Sequence, residues 1–201
     1  MNNHLEIGER LHRRSGRRST LRRLEIQPAK RQEMVIAANI LRSSADWYRP
    51  FLAEKDMAQH EVDESWGELE FARRQFYIGR NEGAPVGVLS TQSVGDMVYI
   101  GYIYVYGHQT GRGFGPQLLN HARDVAWQEG KRGMVLIAHP KAHWATRAYR
   151  RFGFERIATT RDQVLGWKGG WLKPYYEEGF ELYQYLFSDI QFPTNSNLLS
   201  R

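Results

Sequence analysis

Gly111, Gly113 and Gly115 alternate between an apolar run ending at Val105 and a helical pattern opening near Pro116. Glycines so placed let backbone N–H groups approach an anion closely. The positive end of the following helix adds about 0.3–1 kcal/mol per favourable charge. Gln109–Gly115 therefore reads as a diphosphate cradle. Three phosphate-binding loops compete for that reading. A nucleoside-triphosphate loop ends Gly-Lys-Ser/Thr, whereas this one ends Phe114-Gly115-Pro116. A dinucleotide fingerprint needs its third glycine where Pro116 stands and belongs in an early βαβ unit, not beyond the chain's midpoint. A kinase loop fails at the same glycine. A tight turn that uses glycine only for its backbone freedom stays open.

Other reactive groups are sparse. The chain has no cysteine, which excludes disulfides, thiolate metal sites and a cysteine nucleophile. His139 and His143 are spaced as HxxxH, but Pro140 breaks any helix there and no HExxH occurs, so no metal site is expected. There is no Gly-x-Ser-x-Gly elbow.

The surrounding pattern supplies the scaffold. Leu24-Glu25-Ile26 reads as a short strand ended by Pro28. Residues 30–44 form a helix carrying Met34, Val35, Ala38 and Leu41, and residues 61–75 a second carrying Val62, Trp66 and Leu69. Strands at 76–80, 86–92 and 97–106 are joined by turns at Asn81-Glu82-Gly83 and Ser93–Asp96. In the third strand, alternation places Tyr99 opposite Tyr102, Tyr104 and Tyr106. The helix after the glycine loop buries Leu118, Leu119, Ala122, Val125 and Ala126 and closes at Gly130. Then come a strand at 134–138, a helix at 142–152, a strand at 154–159, an aromatic loop at 165–176 and a strand at 180–187. This order predicts a mixed α/β or α+β sheet protein.

Two segments in register carry a family resemblance. Thr110-Gly111-Arg112-Gly113-Phe114-Gly115-Pro116-Gln117-Leu118-Leu119 resembles the cofactor motif of the GNAT superfamily of acetyl-CoA-dependent N-acetyltransferases. Tyr149-Arg150-Arg151-Phe152-Gly153-Phe154 is similar to that family's Tyr-x-x-x-Gly-Phe signature, 38 residues after Gly111. Two positions depart from the pattern: Thr110 replaces the leading Gln/Arg, with Gln109 one place early, and Ala142 replaces an Asn seven residues before Tyr149.

The resemblance implies a central, mixed but mostly antiparallel sheet flanked by helices and splayed between the strands ending at Val105 and Ala138. Pantetheine would bond the edge at Ile103, Tyr104 and Val105, and Gln109, Thr110, Gly111, Arg112, Gly113, Phe114 and Gly115 would hold the diphosphate. Arg147, Arg150 and Arg151, with Arg112, would meet the adenosine 3′-phosphate. Tyr149 is the implied acid for the departing thiolate, its phenol staying protonated at neutral pH. The base is open among Tyr99 (at the position the family often gives to a carboxylate or histidine), His139 and a water relay from elsewhere. Trp167, Trp171, Tyr175 and Tyr176 would wall the acceptor side, with Glu177 and Glu178 available to a cationic amine.

Composition sets the frame. The 201 residues are 41% hydrophobic and 25% charged, enough for one domain with its own core. Seven arginines against Glu6 and Glu9 give residues 1–23 a charge of +5 out of a total of +6. That segment reads as a basic arm, 24–187 as the GNAT-like domain and 188–201 as a polar tail. The arm could touch RNA, the ribosome or an anionic surface, or simply be solvated. No apolar run spans a bilayer and no signal-peptide core opens the chain, so a cytoplasmic protein is expected. The expected activity is acetyl transfer from acetyl-CoA to a primary amine on a small molecule or peptide, with a homodimer left open. The alternative is an acyl-CoA sensor whose arm contacts nucleic acid.

Overall fold

A computed structural model describes residues 23–188. The basic arm and polar tail thus lie outside the described residues, apart from Arg23 and Ser188. Among the described residues seven strands make one sheet: β1 (Glu25–Pro28), β2 (Gln75–Asn81), β3 (Ala84–Val94), β4 (Met97–Val105), β5 (Gly133–Ala138), β6 (Glu155–Ala158) and β7 (Glu181–Leu186). Their spatial order is β1-β2-β3-β4-β5-β7-β6, with every neighbour antiparallel except β4 and β5. Pro28 ends β1, as expected, and as its last residue still pairs with Tyr77, which an edge strand tolerates because one side needs no N–H donor. Glu82 and Gly83 both take positive φ (53° and 79°), the turn expected at that hairpin.

Helix α5 (Phe114–Gln128) covers one face and buries Phe114, Leu118, Leu119, Ala122 and Ala126 against Val98, Ile100 and Met134. Burying each leucine contributes about 1.5–3 kcal/mol. The other face is covered by α1 (Met34–Arg42) and α4 (Glu64–Arg73), packed on Phe76, Ile78, Val88 and Tyr102. Val35 and Leu69, expected in these stripes, are exposed; Ala37 and Ile40 fill α1's buried face instead. Asp63 caps α4, accepting from the Trp66 N–H at 2.9 Å, so Val62 belongs to the preceding turn. Between these helices lie α2 (Ala45–Tyr48) and α3 (Glu54–Glu61), and near the C-terminus α7 (Arg161–Gly166); the sequence pattern shows none of the three. Each is too short or too polar to establish a period, and packing around Tyr48 and Met57 organises the first two. Helix α6 (His143–Phe152) stands beside the sheet after β5.

Two irregularities shape the middle of the sheet. Strands β4 and β5 pair only from Met97 to Tyr99 and from Gly133 to Val135, then diverge, so the expected splay is present. In β4, Ser90 faces Tyr102 while Thr91 faces Ile100, leaving Gly101 as an extra residue. This bulge breaks the alternation: Tyr99 shares a face with Tyr102, and both rings lie within 5.4 Å of one guanidinium. The expectation that Tyr99 faces away from its neighbours is therefore corrected.

Candidate active site

Ile103 to Val105, Gln109 to Gly111 and Gly113 to Gly115 line one groove, which Tyr149 closes. Arg112, also expected there, is exposed outside it, while Arg151 reaches its rim. Arg147 and Arg150 lie with Arg151 on the adjoining outer face of α6. Gly111 and Gly113 have φ of 76° and 81°, conformations that favour glycine, and Gly113 caps α5. Phe114 is buried and anchors the start of the helix, so its contribution to the groove is backbone. Gln117 steadies the turn: its Oε1 accepts from the Leu24 N–H at 2.9 Å and its Nε2 donates to the Gly113 carbonyl at 3.2 Å. The Thr110 hydroxyl donates to the Gly107 carbonyl at 2.9 Å, so it closes the turn. Beyond Tyr99 the β4 edge facing β5 has no ladder partner among the described residues.

The Tyr149 signature works through the end of α6. Gly153, at φ 110°, donates to the Arg150 carbonyl, and the Phe154 N–H reaches back to the Tyr149 carbonyl at 3.0 Å. The rings of Tyr149 and Phe154 then meet at 5.9 Å, the hydrophobic contact that accompanies this helix stop. Tyr149 lines the space beside Ile103 and Tyr104, and burial pushes its pKa far up.

Tyr149 also lines a second cavity, where α2, α3, α6, β4, β5 and the loop before β7 converge. There His60 is buried, stacked on Tyr48 at 4.1 Å. Its Nδ1 lies 3.1 Å from the Tyr104 hydroxyl and its Nε2 3.1 Å from Glu177 Oε2. A neutral ring satisfies both contacts when Tyr104 donates to Nδ1 and Nε2–H donates to the carboxylate. Both nitrogens are thus engaged. Burial raises the Glu177 pKa, opposed by its bond to His60.

Arg74 supplies the opposite wall. Its side chain is 3% exposed, and its Nε donates to Glu70 Oε2 at 2.6 Å. The guanidinium carbon lies 4.3, 5.1 and 5.4 Å from the ring centres of Tyr175, Tyr102 and Tyr99. Its Nη1 is buried without a hydrogen-bond partner among the described residues, an omission that costs about 1–3 kcal/mol. Gly101 makes room for it, because a Cβ there would stand 1.7 Å from Nη1.

Of the two expected bases, Tyr99 is nearly enclosed, and burial drives its phenol well above its usual range, against loss of a proton. The His139 ring stacks on Phe51 at 4.6 Å, and its Nδ1 accepts from the Lys141 N–H at 3.2 Å, which occupies its basic lone pair. Burial pushes its pKa down. In the late loop, Tyr175 and Glu177 reach the cavity, whereas Trp171 packs behind Tyr99 at 5.2 Å and Trp167 behind Trp171. Glu178 is exposed beside Arg161.

Sequence reasoning missed His60 and Arg74. His60 lies just before the expected helix at 61–75 and Arg74 near its end, and neither belongs to any motif. The one available signal was Gly101, an isolated glycine in a strand, which marks a bulge or close approach.

The sequence profile of the acetyltransferase (GNAT) family matches residues 40–154. No curated protein matches. Among solved structures, the fold resembles PaiA N-acetyltransferase from Thermoplasma acidophilum, in complex with coenzyme A. The TM-score is 0.65 at 14% identity, covering 82% of this chain and 99% of that one. YncA from Salmonella typhimurium, solved with acetyl-CoA, matches at TM-score 0.61 and 18% identity over 86% and 98% of the two chains. The ribosomal-protein-S18-alanine N-acetyltransferase of Escherichia coli matches at 0.59 and 19% over 88% and 99%.

Proposed function

This chain belongs to the GNAT acetyltransferase family, and from that premise we propose that it moves an acetyl group from acetyl-CoA to a primary amine by direct attack in a ternary complex. The observation that carries the proposal is a junction: the glycine-loop groove and the His60–Glu177 cavity share Ile103, Tyr104 and Tyr149. A thioester entering along the groove and an amine entering the cavity would meet there.

Acetyl-CoA fits the residues present. The backbone N–H groups at the start of α5 suit its diphosphate, and the open edge at Ile103–Val105 suits the amides of its pantetheine arm. Bound there, it supplies the activated acyl group. Glu177 is the base of the proposal. His60 holds one carboxylate oxygen and leaves the other to take the amine's proton, while desolvation makes that carboxylate more basic than an exposed one. Tyr149 supplies a proton to the sulfur as the carbon–sulfur bond breaks. With its pKa raised by burial it is fully protonated and available as a donor, and because its charged form would be costly there the phenolate regains the proton that Glu177 took from the amine as the thiol leaves.

The test is thiol release from acetyl-CoA across a panel of amines, alongside calorimetry with coenzyme A. Acyl transfer predicts both binding and amine-dependent release. Binding without release from any amine would favour a sensor over an enzyme.

A further inference from the structure

A mechanism that uses Tyr149, Glu177 and His60 leaves Arg74 unexplained. It is a cation nine-tenths buried in the wall of the cavity that holds the reacting groups, and its Nη1, packed over Gly101, has no hydrogen-bond partner among the described residues. Packing alone does not account for it: an apolar residue could fill the space among Tyr99, Tyr102 and Tyr175 without the cost of desolvating a guanidinium. Nor does the pairing with Glu70 use it up, since that contact is made through Nε and leaves Nη1 unpartnered.

We propose that the acceptor is a small aminocarboxylate, its carboxylate accepting from Arg74 Nη1 while its amine is presented to Glu177. The inference rests on the acyl-transfer reading above and adds the substrate class. Three observations support it. The free donor is charged, and charge-assisted bonds to a carboxylate are about twice as strong as neutral ones. Glu70 already balances Arg74, so the polar residues suit a zwitterion, neutral overall, better than a multiply charged phosphate. Arg74 and Glu177 also line one cavity enclosed by Tyr48, Tyr102 and Phe180, so both ends of the ligand must lie within it. A lysine side chain or a protein N-terminus brings no carboxylate so close to its amine.

Thiol release is measured with the full chain on matched pairs, amino acids and the same molecules without their carboxylate. The expected result is at least a tenfold preference in kcat/KM for the carboxylate member of the best pair. Arg74→Gln should erase that preference mainly through KM, and Arg74→Lys should keep part of it. Should Arg74→Gln fail to fold, the wild-type pairs decide by themselves. Equal or better turnover of the decarboxylated amines overturns the inference while leaving acyl transfer intact. So does an Arg74→Gln loss that falls equally on both members, which would place Nη1 on the thioester oxygen instead. No release with any amine would instead bring down the acyl-transfer reading itself.

Discussion

The groove and the cavity meet at Tyr149 but are made differently. One wall of the groove is a single turn: Gln109 to Gly111 and Gly113 to Gly115 lead into α5, with left-handed Gly113 held by Gln117 and the start of the helix by buried Phe114. The cavity is side chains. His60, Arg74, Tyr104, Tyr149 and Glu177 come from separate elements, with His60 and Glu177 lying 117 residues apart. A backbone site can serve one invariant ligand, because any sequence with that turn presents the same N–H groups. A side-chain site can be retuned residue by residue, which suits the variable partner of a two-substrate reaction.

The contrast can be broken most severely at Gly113. Gly113→Glu places a Cβ at φ 81° and a carboxylate in an anion cradle, so calorimetry should find coenzyme A binding abolished. Tyr149→Phe, at the junction, should lower kcat by about 10²–10⁴-fold with little change in coenzyme A affinity. Steady-state kinetics with unchanged kcat would remove the acid role. On the cavity side, Glu177→Gln should lower kcat by about 10²-fold. The base must be deprotonated to act, so wild-type activity should fall as the pH drops through the Glu177 pKa. Burial moves that pKa above the ordinary 4.5, and the acid limb of the pH–rate profile should lie correspondingly high and vanish in the variant. Gly101→Ala drives a Cβ into Arg74 and should raise the acceptor KM about tenfold, while coenzyme A still binds with wild-type affinity. The smallest effect tests the contrast from the other direction. Trp47 and Trp144 meet edge-on at 5.6 Å across the groove. An aromatic pair contributes about 0.5–1.5 kcal/mol, so Trp47→Ala should weaken coenzyme A binding about two- to tenfold. A larger loss would mean that the groove, too, depends on side chains.

The sequence alone determined the family resemblance, the glycine turn before α5 and the helix stop after Tyr149, because each is written in contiguous residues with a local conformation of their own. Gly111 and Gly113 must turn left-handed, and Gly153 must stop α6 where Phe154 folds back on Tyr149. Only the tertiary structure decided the rest. One extra residue at Gly101 turned Tyr99 onto the face that holds Tyr102, and helices too short to carry a period delivered His60. Arg74 and Glu177 are buried rather than solvated only where distant segments close over them, and that burial raises the Glu177 pKa and leaves Arg74 Nη1 without a hydrogen-bond partner among the described residues. Desolvation is a property of the packed neighbourhood, and no local spacing encodes it.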